Sequence, residues 1–393
     1  MQNKNIKASN VPNLRFPEFN LPWKKSCLDK LGTFSKGNGI SKDCISQDGF
    51  PCILYGELYT TYKNEIISQV VSKTNCEVKN PVYSKKNDII LPSSGETELD
   101  ISTARCVTID NVLLGGDLNI FRPNNLSGEF LSYQLSGIRK IDIAKIAQGK
   151  SIVHLHNSDL KKLSVYYPDT NEQNKIFKFL RRIDELIETQ SKIIKEKEYQ
   201  KELISISILK DSNLFESNIK LSELADFYNG YAFDSKDYEQ NGKYNVITIG
   251  NVTGERNINI IKSNKVNSLP TDIRDYQILH KGDILISMTG NVGRVSICNS
   301  ENCLLNQRVG KIKPKSENLN EYIYQCISNN LFEKKMILKG QGAAQINISK
   351  NNILDFQMPF TKNIENINYY SKLMHSFDKT IEIEKLLLSK HYV

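Results

Sequence analysis

The sequence predicts an α+β fold: two repeated mixed α/β domains joined by two long antiparallel, coiled-coil-like helices with pseudo-two-fold symmetry. Three observations predict it. The chain contains an internal repeat, each copy consists of short apolar runs separated by turn residues, and a long segment without Gly or Pro lies between the copies. Together they indicate one domain followed by one helix, present twice.

The second half of the chain repeats the first at a nearly constant spacing. Lys-Leu-Gly-Thr-Phe-Ser-Lys-Gly from Lys30 returns as Glu-Leu-Ala-Asp-Phe-Tyr-Asn-Gly from Glu223. Lys-Asn-Asp-Ile-Ile-Leu from Lys86 returns as Lys-Gly-Asp-Ile-Leu-Ile from Lys281. Because 393 residues exceed the size at which a single core usually stops growing, the length also favours two domains.

Short apolar runs bounded by Gly, Asn, Ser and Asp predict strands in both copies. They are Cys52–Tyr55, Asp88–Leu91, Cys106–Ile109, Leu118–Phe121, Tyr244–Ile249, Asp283–Ser287 and Arg294–Cys298. Helices are predicted over Leu126–Leu135, Ile138–Ala147 and Leu319–Leu338. Each copy is therefore mixed rather than all-β.

Two apolar-periodic segments follow the two copies. From Thr170 to Leu209 there is no Pro or Gly, and apolar residues recur at steps of three and four, which is typical of a coiled-coil seam. A matching seam runs from Ile367 to Leu388. We expect the two helices to pair in antiparallel orientation, and the alternative is that each packs on its own domain.

These segments define five predicted regions. They are an N-terminal arm (1–22), a first domain (23–168), a central spacer helix (169–212), a second domain (213–360) and a C-terminal spacer helix (361–393).

The composition is that of an ordinary globular protein. No apolar run approaches the roughly 18 residues of a membrane span, and the start lacks a signal-peptide core, so we expect a cytoplasmic protein without a membrane partner. Eight scattered cysteines lack the spacing of zinc ligands, which predicts reduced thiols and no metal site. A net charge of +8 suits a polyanionic partner but is weak at this length.

Motifs that resemble enzyme sites lack the required context. Ala144–Ser151 fits a loose phosphate-loop pattern, yet a helix is predicted before it and a strand after it, the reverse of a working loop. Asn80–Tyr83 is one residue away from the loop with which adenine methyltransferases hold a flipped base, but no cofactor domain accompanies it. His154 and His156 have no third ligand nearby. We expect a non-catalytic chain without a cofactor; an adenine methyltransferase and a scaffold without a DNA role are the alternatives.

Polar loops that follow strands occur at equivalent places in both copies but differ in sequence. Side chains of these types contact phosphates and base edges, so unequal loops on equal domains predict recognition of two different half-sites. The candidate DNA-binding residues are Lys36, Asn38, Tyr59, Thr60, Thr61, Tyr62, Lys63, Ser93, Ser94, Thr97, Tyr231, Asn251, Thr253, Arg256, Thr289, Asn291, Arg294, Asn306, Gln307, Arg308, Gln341 and Gln345.

The chain resembles the specificity subunit of type I restriction-modification systems over nearly its whole length. The resemblance rests on the Lys-x-Asp-Ile strands, on Leu14-Arg-Phe-Pro-Glu-Phe with Trp23, on Tyr55-Gly-Glu-Leu-Tyr-Thr, and on Pro168 followed by Glu172-Gln-x-x-Ile and Leu180-x-x-Ile-Asp-x-x-Ile.

This resemblance implies two target-recognition domains that read a bipartite double-stranded DNA site, and two antiparallel helical spacers. It also implies that the spacers dock two methyltransferase (modification) subunits, which supply the S-adenosylmethionine chemistry, and that restriction/translocase subunits join the complex. The predicted partner-binding residues on the helices are Ile176, Phe179, Leu180, Ile183, Ile187, Leu373, Phe377 and Ile381.

Overall fold

The chain divides between Leu186 and Ile187 into two compact units, and the division falls inside its longest helix. The computed structural model describes residues 12–149, 152–340 and 346–390. Residues up to 186 are called unit 1 and residues from 187 onward are called unit 2. Both units are mixed α/β, as the sequence predicts.

The strands of unit 1 are short, which agrees with the short apolar runs of its sequence. They are β1 (Lys24–Cys27), β2 (Gly32–Lys36), β3 (Ile45–Ser46), β4 (Phe50–Ile53), β5 (Ile66–Ile67), β6 (Ser72–Thr74), β7 (Asp88–Pro92), β8 (Ser94–Gly95), β9 (Arg105–Val107), β10 (Leu113–Leu114), β11 (Leu118–Pro123), β12 (Val153–His154) and β13 (Ser164–Tyr167). Its helices are α1 (Glu57–Thr60), α2 (Glu98–Ile101), α3 (Gly128–Ser136), α4 (Lys140–Ile146), α5 (Asn157–Leu160) and the first part of α6 (Thr170–Leu209).

Among the described residues, unit 2 has fewer strands than unit 1 but keeps most of the strands that build both sheets. Its strands are β14 (Ser217–Lys220), β15 (Ala225–Asn229), β16 (Tyr244–Ile247), β17 (Asn264–Val266), β18 (Ile278–Leu279), β19 (Ile284–Ser287), β20 (Val295–Ile297), β21 (Cys303–Leu305), β22 (Val309–Pro314) and β23 (Gln357–Phe360). Its helices are the second part of α6, α7 (Leu221–Leu224), α8 (Asn320–Ile327), α9 (Asn330–Lys339), α10 (Lys350–Leu354) and α11 (Ile364–Lys390).

The sheets of the two units have matching strand orders. The first sheet is β2-β11-β7-β9-β5 in unit 1 and β15-β22-β19-β20 in unit 2. The second is β3-β6-β4-β10 in unit 1 and β17-β16-β21-β18 in unit 2. In it β6-β4-β10 corresponds to β17-β16-β21, with β4 and β10, like β16 and β21, paired in parallel, while β3 and β18 do not correspond. The ladders β1-β13 and β14-β23 also correspond. The sequence repeat is therefore a repeat of topology.

The repeated Lys-x-Asp-Ile segment forms the central strands β7 and β19, whose side chains are buried apart from the partly exposed Asp283 that precedes β19. Asp88 pairs with Arg122 at 2.7 Å, and Asp283 pairs with Lys311 at 2.6 Å. In both units the aspartate also accepts a hydrogen bond from the main-chain N–H three residues before it, at 2.8 Å. These aspartates are thus structural.

The main core of each unit lies between the first sheet and the helices that follow it. In unit 1 it includes Ile89, Leu131 and Leu160. In unit 2 the corresponding core extends to Tyr370 of α11, which is fully buried. Helix α11 therefore belongs partly to the core of unit 2.

In unit 2 the second part of α6 packs antiparallel against α11. The Gln190 side-chain amide donates to Glu384 Oε2 at 2.6 Å, and the hydroxyls of Ser205 and Tyr370 lie 2.8 Å apart. Contacts that advance along α6 thus retreat along α11, which confirms the predicted antiparallel pairing for this part of the helices.

One predicted helix is wrong. The segment Leu319–Leu338 forms α8 and α9 with a break at Ser328 and Asn329, because the Asn329 side chain accepts a hydrogen bond from Phe332 N at 2.9 Å and starts a new helix. Helix α6, in contrast, has the predicted bounds. Among the described residues, no helix is both long enough and apolar enough to cross a membrane.

Candidate nucleic-acid interface

Main-chain hydrogen bonds gather four loops of unit 2 at one end of its first sheet. Tyr231 N donates to Leu305 O at 2.7 Å, Met288 N to Arg308 O at 3.0 Å, and Ile348 N to Met288 O at 2.9 Å. This end is where β15 and β19 finish and β22 begins. Its surface residues, which we call the loop end of unit 2, are Tyr231, Thr289, Asn291, Gln307, Arg308 and Asn347.

Unit 1 builds the same end with the same bonds. Asn38 N donates to Leu114 O at 3.0 Å, Ser93 N to Asp117 O at 2.7 Å, and Leu155 N to Ser93 O at 3.0 Å. The loop end of unit 1 consists of the surface residues Asn38, Gly116, Asp117 and His154, and the buried Ser94 lies next to them in β8.

These bonds match one to one and so define equivalent positions in the two loop ends. Asn38 corresponds to Tyr231, Ser94 to Thr289, Gly116 to Gln307, Asp117 to Arg308 and His154 to Asn347. The main-chain hydrogen bonds are the same, but the amide of Asn38 is replaced by the phenol of Tyr231, and the carboxylate of Asp117 by the guanidinium of Arg308. The two ends therefore present different hydrogen-bonding chemistry on one frame.

In unit 2 the loop end presents the guanidinium of Arg308 as a donor group. The main chain of Arg308 is fixed, since its N–H donates to Asn306 Oδ1 at 3.2 Å and its carbonyl accepts from Met288. Its guanidinium is exposed and has no hydrogen bond or ion pair to another described residue. Tyr231 Oη donates to Asp272 Oδ1 at 2.8 Å, a hydrogen bond that raises the pKa of the phenol.

In unit 1 the loop end offers acceptors. Asp117 is exposed, has a left-handed backbone (φ +59°), and accepts a hydrogen bond from Ser93 Oγ at 3.3 Å. The side-chain amide of Asn38 donates to the carbonyls of Lys79 and Asn80 at 2.9 and 3.0 Å. The rings of His154 and His156 stack with centroids 6.3 Å apart.

Several predicted DNA-contacting side chains are engaged inside their unit. Asn251 is 3% exposed and accepts from Thr248 N at 2.8 Å, so it shapes its own turn. Tyr62 Oη accepts from Val71 N at 3.2 Å, and burial raises the pKa of Tyr62 to about 12. Ser93, Ser94 and Asn306 are buried. We remove these five side chains from the DNA-contacting set, because their polar atoms are buried or already bonded.

Arg256 is the clearest correction. It pairs with Glu321 at 2.6 Å and with Asp378 at 2.9 Å. Its main-chain position is equivalent to that of Glu65, because the carbonyl of each residue accepts a hydrogen bond from the corresponding strand, β20 for Arg256 and β9 for Glu65. Burial opposes its charge, but the hydrogen bond with Glu321 and the two carboxylates raise the pKa of Arg256. Its guanidinium thus links Glu321 and Asp378 of its own unit instead of projecting as a free loop cation.

The remaining predicted residues lie on the surface. Thr60 and Thr97 cap or close short helices, with Thr60 Oγ1 donating to Gly56 O at 2.8 Å and Thr97 Oγ1 accepting from Asp100 N at 3.1 Å. Arg294 donates to Glu333 at 3.4 Å. Lys36, Tyr59, Thr61, Lys63 and Thr253 are exposed or half-buried. Gln341 and Gln345 lie outside the described residues.

Sequence reasoning missed Asp117, His154 and Asn347 as members of the loop ends. A signal was present, because Leu-Leu-Gly-Gly-Asp from Leu113 aligns with Leu-Leu-Asn-Gln-Arg from Leu304. The sequence predicts no DNA contacts for the first segment but assigns them to the second, through Asn306, Gln307 and Arg308.

At the opposite, helical side of each unit a repeated aspartate meets the first helix after the sheet. Asp184 of α6 accepts a hydrogen bond from Tyr133 Oη. Asp378 of α11 accepts from Gln325 Nε2 at 2.6 Å, and also from Lys201 Nζ at 2.5 Å and Arg256. We call these two arrangements the helix junctions of units 1 and 2. Both lock a spacer helix to its own domain.

Comparison with known proteins identifies the architecture. A sequence model of the type I restriction modification DNA specificity domain matches residues 20–198 and again residues 215–390. The chain belongs to the type I restriction-modification DNA specificity family. The double match confirms the two repeated domains, and membership confirms the resemblance to specificity subunits that the sequence motifs indicate.

Relatives agree over nearly the full length. The chain is 22% identical to the specificity subunit of the type I restriction enzyme MjaVIII from Methanocaldococcus jannaschii, over 95% of this chain and 89% of that protein. It has the fold of the type I restriction-modification S subunit from M. genitalium (TM-score 0.62, 18% identity, 97% and 96% coverage). A structure described for complex assembly and conformational transition of the type I system matches with a TM-score of 0.50 and 12% identity, over 95% and 96% of the two chains.

The family's helical spacers are only partly free for a partner in this chain. Leu373 and Phe377 pack against the core of unit 2, and Ile381 is 8% exposed. Phe179 is 52% exposed, although its ring contacts Phe16 edge-on at 5.9 Å. Ile176, Leu180, Ile183 and Ile187 are half-buried. Further apolar side chains that the prediction did not include are exposed on the same helices: Tyr199, Leu203, Ile206, Ile383, Leu386 and Leu387.

Proposed function

We propose that the chain is the non-catalytic specificity subunit of a type I restriction-modification complex and reads a bipartite double-stranded DNA target, one half-site with each loop end. The observation that carries the proposal is the pair of loop ends, built by the same main-chain bonds and furnished with different side chains. A fixed main chain positions a side chain against a base edge, and a change of side chain changes the base that is accepted.

Exchange of one domain tests this division of labour. A chain whose residues 213–360 are replaced by the equivalent segment of a relative, reconstituted with methyltransferase subunits, is expected to methylate a motif changed in one half only. The reciprocal exchange of residues 23–168 is the matched control and is expected to change the other half. A motif that changes in both halves, or in neither, after a single exchange would contradict the proposal.

We also propose that two methyltransferase subunits dock on the spacer helices, and that restriction/translocase subunits then join the complex. The exposed apolar side chains on these helices support a protein partner, because Tyr199, Leu203 and Ile206 recur at steps of four and three on one helix face, and contiguous exposed apolar patches mark interaction sites. Leu386→Glu is expected to weaken capture of the methyltransferase subunit in a pull-down. Leu269→Glu, at a partly exposed site in a loop of unit 2, is the control and is expected to leave capture unchanged.

The alternative enzymatic function is tested with the chain alone. Incubation with labelled S-adenosylmethionine and DNA is expected to give no methyl transfer until a methyltransferase subunit is added. Transfer by the purified chain would favour an adenine methyltransferase that uses Asn80–Tyr83. Among the described residues, no group of three or more His, Cys, Asp or Glu side chains is arranged to hold a metal ion.

A further inference from the structure

Asp117 of unit 1 and Arg308 of unit 2 occupy equivalent positions but carry opposite charges. Each residue has its carbonyl tied to the strand-end residue on its neighbour, Ser93 or Met288, at 2.7 and 3.0 Å. Both side chains are exposed. Because the main chain is held in the same way, the difference between the two positions lies in the group that each one presents.

A carboxylate on a DNA-facing loop has few partners that it can accept from. Phosphates repel it, and the base edges exposed in the major groove offer donors at only two places, the N4 amino group of cytosine and the N6 amino group of adenine. The side chain of Asp117 has one hydrogen bond within the unit, a long one of 3.3 Å from Ser93 Oγ, so its other oxygen is free of partners among the described residues.

The residue before Asp117 leaves room for a base to approach. Gly116 occupies the position of Gln307 in unit 2, and a Cβ added to Gly116 would meet nothing nearer than 4.0 Å. Packing and backbone conformation therefore do not require glycine there. Without a side chain at this point, the carboxylate of Asp117 is open on that side, whereas unit 2 has the exposed amide side chain of Gln307 at the same place.

The guanidinium of Arg308 has the complementary chemistry. It can donate two parallel hydrogen bonds to O6 and N7 of guanine, which is the commonest specific contact in the major groove. Its charge is not neutralised by a described carboxylate of its own unit, so it remains available to the DNA.

We infer that this position reads one base pair in each half-site, as a hydrogen-bond acceptor in unit 1 and as a donor in unit 2. Asp117 accepts from the exocyclic amino group of cytosine or adenine in the half-site of unit 1, and Arg308 donates to guanine in the half-site of unit 2. The inference rests on the proposed function and adds to it which base chemistry each half-site contains and which residue selects it.

Substitutions that keep the turn test the role of Asp117. Asn and Gly both tolerate its left-handed backbone, so Asp117→Asn and Asp117→Gly retain the loop and remove the carboxylate. Each variant is assembled with methyltransferase subunits, and its methylated motif is mapped by sequencing. We expect preference for the original base to fall at least about fivefold at one position of one half-site in Asp117→Gly, whereas Asp117→Asn shifts that position toward adenine, because an amide pairs with both N6 and N7 of that base. Asp48→Asn, at an exposed turn of the second sheet, is the control.

Arg308→Lys completes the test on the other unit. It keeps the charge and loses the fork of two donors, so preference for guanine is expected to relax at one position of the other half-site. The position affected by the Asp117 variants also tells cytosine from adenine.

An unchanged motif in both Asp117 variants would overturn the inference for unit 1 and leave the proposed function intact. A wild-type complex whose motif does not depend on this chain would instead contradict the proposed function itself.

Discussion

The helix junction and the loop end preserve different things from one unit to the other. At the junctions the repeat keeps a charged side chain, since Asp184 and Asp378 occupy equivalent positions and each accepts from the first helix after the sheet. At the loop ends it keeps main-chain hydrogen bonds and replaces the side chains, up to a reversal of charge between Asp117 and Arg308. Each unit therefore has one part that holds the helix and another part that we propose reads DNA.

The junctions themselves differ in charge compensation. Asp378 lies between two cations, Lys201 and Arg256, while Asp184 has one hydroxyl donor, Tyr133, among the described residues. Both junctions thus contain an aspartate, but its partners differ: two cations in unit 2 and a tyrosine hydroxyl in unit 1.

The largest effect is expected at the junction of unit 2. Asp378→Ala leaves Arg256 and Lys201 partly buried with fewer counter-charges, so we expect the free energy of unfolding to fall by about 3 kcal/mol or more, measured by circular dichroism in urea. Asp355→Ala breaks an ion pair between the exposed side chains of Asp355 and Lys220 and is expected to leave the free energy of unfolding nearly unchanged. Equal costs for the two variants would contradict the structural role of Asp378.

A smaller pair of effects compares the donors at the two aspartates. Tyr133→Phe removes the one described donor of Asp184, so we expect a loss of about 1–3 kcal/mol, followed by the fluorescence of the single tryptophan, Trp23. Gln325→Met removes one of several donors of Asp378 and is expected to cost about 1 kcal/mol or less. A larger loss for Gln325→Met would show that the cations do not compensate Asp378.

The smallest expected effect is a pH dependence of opposite sign in the two units. Burial raises the pKa of Asp184 above 3.8 despite its hydrogen bond with Tyr133. Burial also acts to raise the pKa of Glu321, but hydrogen bonds from Arg256 and Gln325 outweigh it and bring that pKa below 4.5. The contribution of Asp184 is therefore present below pH 3.8 and lost as the pH rises, whereas that of Glu321 is present above pH 4.5 and lost as the pH falls.

Urea unfolding between pH 3 and pH 6 measures these signs. Relative to wild type, Asp184→Asn is expected to become less destabilising as the pH rises, and Glu321→Gln more destabilising. The same direction of change with pH for both variants would contradict the opposite pKa shifts of Asp184 and Glu321.

The sequence predicts the frame better than the site, for physical reasons. Helix α6 has the predicted bounds because apolar periodicity and the absence of Gly and Pro are local properties. Arg256 looked like a loop cation aimed at DNA, but its partners Glu321 and Asp378 lie 65 and 122 residues away and become neighbours only in the fold. The alignment of Leu113–Asp117 with Leu304–Arg308 is compatible with an equivalence of Asp117 and Arg308, but only the main-chain hydrogen bonds between segments distant in sequence establish it.

The two loop ends share the same main-chain hydrogen bonds, and we propose that they recognise different base pairs. The most direct measurement is selection of bound duplexes from a randomised pool by the reconstituted complex, comparing wild type with Arg308→Ala. We predict a loss of about 1–3 kcal/mol of discrimination at a base pair in one half of the motif, with the other half and the gap unchanged. Loss of discrimination in both halves, or in neither, would contradict the account.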